Sequence, residues 1–208
     1  MLPSGQPKFR RRKAERPDEI VAAAFEIFAE KGFAAARLDD IAARAGVSKG
    51  AIYLYFTTKE DIFRAVVDQA IVPNLQILSA LTAANPQTFP DLLRVAAKLV
   101  AQVADTTPLG GIVKMVIGEA RNFPELARVW HERLILPALG GLTGAIAAAQ
   151  ARGEIGPGDP RHYAVGLIAP LLVGVIWRET FTPIGAEPFD LAALARQHVE
   201  TQLRGMMP

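Results

Sequence analysis

The chain of 208 residues has no cysteine. That excludes disulfides, thiolate metal sites and cysteine nucleophiles together, and it sits most easily with a reducing cytoplasm. There are only three histidines, His131, His162 and His198, and they are scattered, so no metal centre or other cofactor is expected. His131-Glu132 is not a zinc motif, because Ile135 stands where the second histidine would be. No segment alternates apolar and polar residues as a half-buried strand does, so no glycine loop can follow a strand to cradle a phosphate. Gly140-Gly141-Leu142-Thr143-Gly144 falls inside a helical pattern, where small residues usually mean close helix packing. Nothing pairs a nucleophile with an oriented base, and no enzyme is expected. The uncharged stretch 134–149 carries Pro137, three glycines and Thr143 and falls short of the roughly 18 apolar residues a membrane span needs. The opening Met1 to Lys8 lacks the apolar run of a signal peptide. The expectation is a cytoplasmic chain with no membrane partner.

Half of the residues are hydrophobic and 21% are charged, the balance of a globular protein. Net charge is only +2 but unevenly placed. Residues 1–16 hold six cations, Lys8, Arg10, Arg11, Arg12, Lys13 and Arg16, against Glu15 alone. Such a run is a solvated tail or an arm near phosphate.

Helical spacing dominates the rest. Ile20, Val21, Ala24, Phe25, Ile27 and Phe28 recur at three and four residues behind Asp18-Glu19, and Lys31-Gly32 ends the pattern. Short helices are expected from Asp39 to Ala45 and from Ser48 to Phe56, then a long one from Thr58 that Pro73 should bend or end. Further helices should begin at Pro90, Pro108, Pro124, Asp159 and Asp190, the one from Pro124 reaching toward Ala151 with a break near Pro137. The fold class is all-α, with about nine helices.

The informative stretch runs from Leu38 to Phe56. Two short helices meeting at a sharp angle need a small residue at the crossing, a turn residue able to take positive φ, and apolar residues on the inner faces. Ala42, Gly46 and the set Ile41, Ala45, Val47 and Ile52 meet those needs, and Ser48 can cap the second helix. An ordinary helical hairpin meets them too. Phe28-Ala29-Glu30-Lys31-Gly32-Phe33, Asp40-Ile41-Ala42, Ala45 to Gly50 and Ile52-Tyr53-Leu54-Tyr55-Phe56 with Lys59-Glu60 and Phe63 together resemble the N-terminal domain of TetR-family transcriptional regulators. One departure is Ala36, before Arg37, where the family often has threonine.

The resemblance implies a basic arm at 1–16, a helix-turn-helix DNA-binding domain at 17–58 and a ligand-binding and dimerisation domain at 59–208. It places Arg37, Ser48, Lys49, Gly50, Ala51, Tyr53, Leu54, Tyr55 and Lys59 on DNA, with Tyr53, Tyr55 and Lys59 on phosphates. For Tyr53 a half-buried core position is the alternative, and for Lys59 a solvated one. A cation at a helix start is locally unfavourable, so something else must hold Lys59 there. The partners implied are a double-stranded operator, a second copy of the chain and a small effector that releases a repressor. A helical ligand carrier or adaptor that merely shares the hairpin is the competing class. Candidate ligand residues are Phe89, Leu93, Met115, Glu119, Phe123, Trp130, His131 and Leu134. Candidate dimer residues are Gly166, Leu167, Pro170, Leu171, Gly174, Arg178, Leu194 and His198, on the last two helices, the first of which is apolar nearly all round, although burial within one subunit would look the same. The helix opening at Thr58 is expected to link the DNA and ligand sites.

Overall fold

The computed structural model describes residues 16–73, 76 and 88–208. Of the arm expected at 1–16, residues 1–15 lie outside the described residues. Among those described there are nine helices and no strand. They are α1 (Arg16–Ala35), α2 (Leu38–Ala45), α3 (Lys49–Ile52), α4 (Lys59–Val66), α5 (Phe89–Thr106), α6 (Leu109–Glu119), α7 (Pro124–Ala151), α8 (Pro160–Thr180) and α9 (Leu191–Met206).

Local chemistry sets the starts. Thr58 and Asp61 cap α4 reciprocally, the Asp61 N–H reaching Thr58 Oγ1 at 3.1 Å and the Thr58 N–H reaching Asp61 Oδ2 at 2.9 Å. The Arg161 N–H donates to Asp159 Oδ1 at 2.8 Å, and the Ala193 N–H to Asp190 Oδ1 at 2.9 Å. Within α1, Gly32 stands at φ 77° and ψ 169°, a conformation in which any Cβ is strained, so the helical run stops there.

Two prolines leave the same mark. Pro73 and Pro137 have no N–H, and each follows a turn widened to π geometry, Val67–Ile71 after α4 and His131–Ile135 inside α7. In these turns the Val72 N–H bonds Val67 O and the Leu136 N–H bonds His131 O. The break expected near Pro137 is therefore a widened turn in a helix that runs on. Asp68 and Arg133, one from each turn, pair at 3.7 Å.

The side chains bury in two groups. The first joins Ile20, Ile27, Phe28 and Phe33 of α1 to Ile41, Ile52, Ile62, Phe63 and Val66, and also to Ile112, Met115, Leu126 and Trp130. Packing does not stop at residue 58: α1 lies directly on α6, where Gly111 comes so close that a Cβ would stand 2.7 Å from the Ala29 Cβ. The second group joins Phe89, Leu93, Ala97 and Ala101 to Ile146, Ala149, Ala164, Leu167, Val199 and Leu203. Glu154 accepts the Phe89 N–H at 2.6 Å, and the Gly156 N–H donates to Met206 O at 2.7 Å, which ties the ends of this second group together. By length and hydropathy, Pro124–Ala151 and Pro160–Ile184 are each apolar enough to cross a membrane. Both contribute side chains to the second group.

Candidate nucleic-acid interface

α2 ends at Gly46, at φ 66° in the left-handed region, and the Val47 N–H returns to Ala42 O at 3.0 Å. Ser48 Oγ accepts the Ala51 N–H at 3.2 Å and opens α3. The expected helix to Phe56 is shorter: after Ile52 the chain tightens, with the Leu54 N–H on Ala51 O at 3.3 Å and the Tyr55 N–H on Ile52 O at 2.9 Å. Lys49, Gly50, Tyr53 and Leu54 face solvent, Tyr53 55% and Leu54 72% exposed. A leucine so exposed on a compact domain offers an apolar contact surface, which in a major groove meets base edges and thymine methyls.

Other expectations change. Ala51 is buried, because this face of α3 packs inward, and Tyr55 is half-buried against the first core. Lys59 does not reach outward. Its ammonium donates to the carbonyls of Phe33, Ala34 (3.4 Å) and Ala36 (3.0 Å) and lies 4.4 Å from the Phe33 ring centre. Burial holds the ammonium below the usual lysine range, offset only in part by the carboxylates of Glu60 and Glu119. All three donors are directed at three carbonyls, which the phosphate contact read for Lys59 would have to displace. Lys49 instead pairs at the surface with Asp39 at 2.9 Å, which raises its pKa, and that exposed pair can be exchanged for a phosphate at little cost. Arg37 is exposed as the N-cap of α2, its N–H held by Asp40 Oδ2 at 3.3 Å.

The family described as bacterial regulatory proteins, tetR family, matches residues 20–66, and that described as tetracyclin repressor-like, C-terminal domain, matches residues 88–200. The chain belongs to the TetR family. It is thus a DNA-binding transcriptional regulator and not an enzyme. The HTH-type transcriptional repressor BepR of Brucella suis is 25% identical over 200 residues, covering 93% of this chain and 92% of that one. The fatty acid metabolism regulator protein of Bacillus subtilis is 27% identical over 198 residues, covering 93% and 98%. A candidate TetR-family transcriptional regulator of Mesorhizobium loti has the same fold, with a TM-score of 0.75, 27% identity and coverage of 96% and 100%.

In this TetR-family chain the residues read as a ligand set do not converge. Phe89 and Leu93 lie in the second core, while Met115, Phe123, Trp130 and Leu134 pack in or against the first. His131 is exposed on the widened turn of α7. Glu119 accepts the backbone N–H groups of Phe33 at 2.9 Å and Ala34 at 2.7 Å. A cleft of about 260 Å³ lies elsewhere, between Glu26, Ala29, Glu30, Pro108, Gly111 and Glu179. Its three carboxylates make it a poor match for an apolar ligand.

Residues of the expected dimer set make contacts within the subunit. Leu167 and Leu171 belong to the second core or pack against it, and a Cβ on Gly174 would stand 2.7 Å from the Leu191 Cδ2. His198 Nε2 meets Gly166 O at 2.9 Å, and Leu194 also crowds Gly174. Arg178 binds Asp105 at 2.9 Å and Ala104 O at 2.6 Å. These residues join α8 to α9 and α5 within one subunit, and half-buried Pro170 lies among them on α8. What α8 leaves uncovered is the opposite stripe, Val165, Ile168, Ala169, Leu172 and Val173. That stripe was legible in its spacing, since 165, 168, 169 and 172 share one helical face.

Proposed function

We propose that the chain is a homodimeric repressor that leaves a pseudo-palindromic operator when it binds a small, mostly apolar ligand. The observation that carries the reading is the uncovered face of α3: Lys49, Gly50, Tyr53 and Leu54 project while the rest of the helix-turn-helix buries its apolar residues. Leu54 and Gly50 read bases, whereas Lys49, the Tyr53 hydroxyl, Arg37 and Ser48 meet phosphates. The uncharged stripe on α8 supports the second copy, because a monomer gains nothing from exposing five apolar residues in a row. Repression is supported by the BepR relative, and an apolar effector by the fatty acid metabolism regulator. A protein that works on chromosomal DNA acts in the cytoplasm.

The test is selection of duplexes from a random pool by the full chain, followed by footprinting. A protected site with two-fold symmetry and half-sites about 34–36 Å apart, or a multiple of that, is expected. Protection without symmetry, or no enrichment, rejects the reading. Replacing Leu54 with Ala should change the selected sequence and cost about 1–3 kcal/mol on the original site, while leaving the dependence on salt as in the wild type.

A further inference from the structure

Two charged side chains stand at the ends of helices where the backbone dipole disfavours them. Glu119 is the last residue of α6 and Lys59 the first of α4. A carboxylate at a C-terminus and an ammonium at an N-terminus are each locally unfavourable. The structure shows what holds both: they grip the same turn. After Gly32 the Phe33 and Ala34 N–H groups point at the two oxygens of Glu119, at 2.9 and 2.7 Å. The carbonyls of Phe33, Ala34 and Ala36 accept from Lys59 on the other side. Gly32 is needed for the fit, since a Cβ there would fall on Glu119 Oε1. The next residue, Arg37, opens α2, so the turn sets the direction in which the helix-turn-helix leaves α1.

The clamp joins distant parts. Glu119 is 86 residues from Phe33, and α6 is in turn tied to α8 by the Lys114 ammonium on Glu179 O at 2.7 Å. Phe123, just after α6, stacks edge-on against Phe33 at 5.1 Å. α6 therefore lies along α1 from Gly111 to Glu119 and, at Lys114, meets the helix with the uncovered stripe.

We propose that Glu119 and Lys59 are positioning residues that clamp the turn at 33–36, and that the grip of the Glu119 carboxylate is how a change in α6 reaches the helix-turn-helix. The proposal rests on the reading of the chain as a ligand-responsive regulator. It differs from the expectation that α4 alone carries the signal, because the anion comes from α6. A carboxylate that accepts two N–H groups is lost in Glu119→Gln, whose amide brings its own N–H groups to the same place.

Two variants of the full chain test it, Glu119→Gln and Lys59→Met, with the selected operator, an unrelated duplex and amide hydrogen exchange as readouts. Glu119→Gln should weaken operator binding about 2- to 30-fold, leave the unrelated duplex unaffected, and speed exchange at Phe33, Ala34 and α2. Lys59→Met should show the same pattern with the salt slope of the wild type. Wild-type exchange at Phe33 and Ala34 in Glu119→Gln overturns the clamp, and it does so whether or not any operator is found. Equal losses on both duplexes, or a salt slope lower by about one in Lys59→Met, overturn the positioning role in favour of direct phosphate contact.

Discussion

Deleting residues 1–14 should lower affinity for operator and unrelated duplex alike by about two to three orders of magnitude at physiological salt, with a salt slope smaller by about four. The reason lies in the charge of what remains. Residues 17–58 carry four cations against six carboxylates. Three of the four are paired: Lys31 with Asp40 at 2.9 Å, Arg44 with Glu26 at 2.6 Å and Glu30 at 2.9 Å, and Lys49 with Asp39 at 2.9 Å. A phosphate must displace a carboxylate at each of these. The deleted segment instead takes away Lys8, Arg10, Arg11, Arg12 and Lys13 and no acid. Anisotropy titrations from about 50 to 200 mM salt measure the slope. An unchanged slope would assign the counterion release to the folded helix-turn-helix and make the arm a tail.

Phe33→Ala should cost about 3–5 kcal/mol in urea denaturation. Phe33 is fully buried, with ring centres of Phe28, Phe63 and Phe123 at 5.4, 6.2 and 5.1 Å. Tilted and edge-on ring pairs add to the burial itself, and the same ring carries the Lys59 ammonium on its face. Because Phe28 belongs to α1, Phe63 to α4 and Phe123 follows α6, the cavity would open where three parts of the chain meet. A loss below about 1 kcal/mol would mean that the rings repack without it.

Local signals in the sequence told where helices begin. Thr58, Asp159 and Asp190 each cap the helix assigned to them, and Gly32 and Gly46 end runs where a Cβ would be strained. These depend on neighbours within four residues. The parts that were not legible depend on distant ones. Lys59 and Phe33 are 26 residues apart, and Glu119 and Phe33 are 86, so nothing near either charge said that it serves a turn. The small residue Gly174 marks close helix contact, but spacing cannot say whose helix is close, and within the subunit Leu191 and Leu194 of α9 pack against it. α3 was read as longer than it is because the pattern from Ser48 to Phe56 remains apolar while its hydrogen bonds tighten to three-residue turns.

The widened turn at His131–Ile135 also sets the phase of α7. Leu126, Val129 and Trp130 before it serve the first core, and Ile146 and Ala149 after it serve the second. A π turn is an α-helix with one residue inserted, and each residue turns an α-helix by about 100°. Closing the turn to α geometry with every residue kept would swing Ile146 and Ala149 about a quarter-revolution away from their neighbours, whereas removing one residue between 131 and 135 would let it close with the phase preserved. The width of that turn, which takes up one residue more than an α turn, keeps one unbroken helix in register with two cores at once.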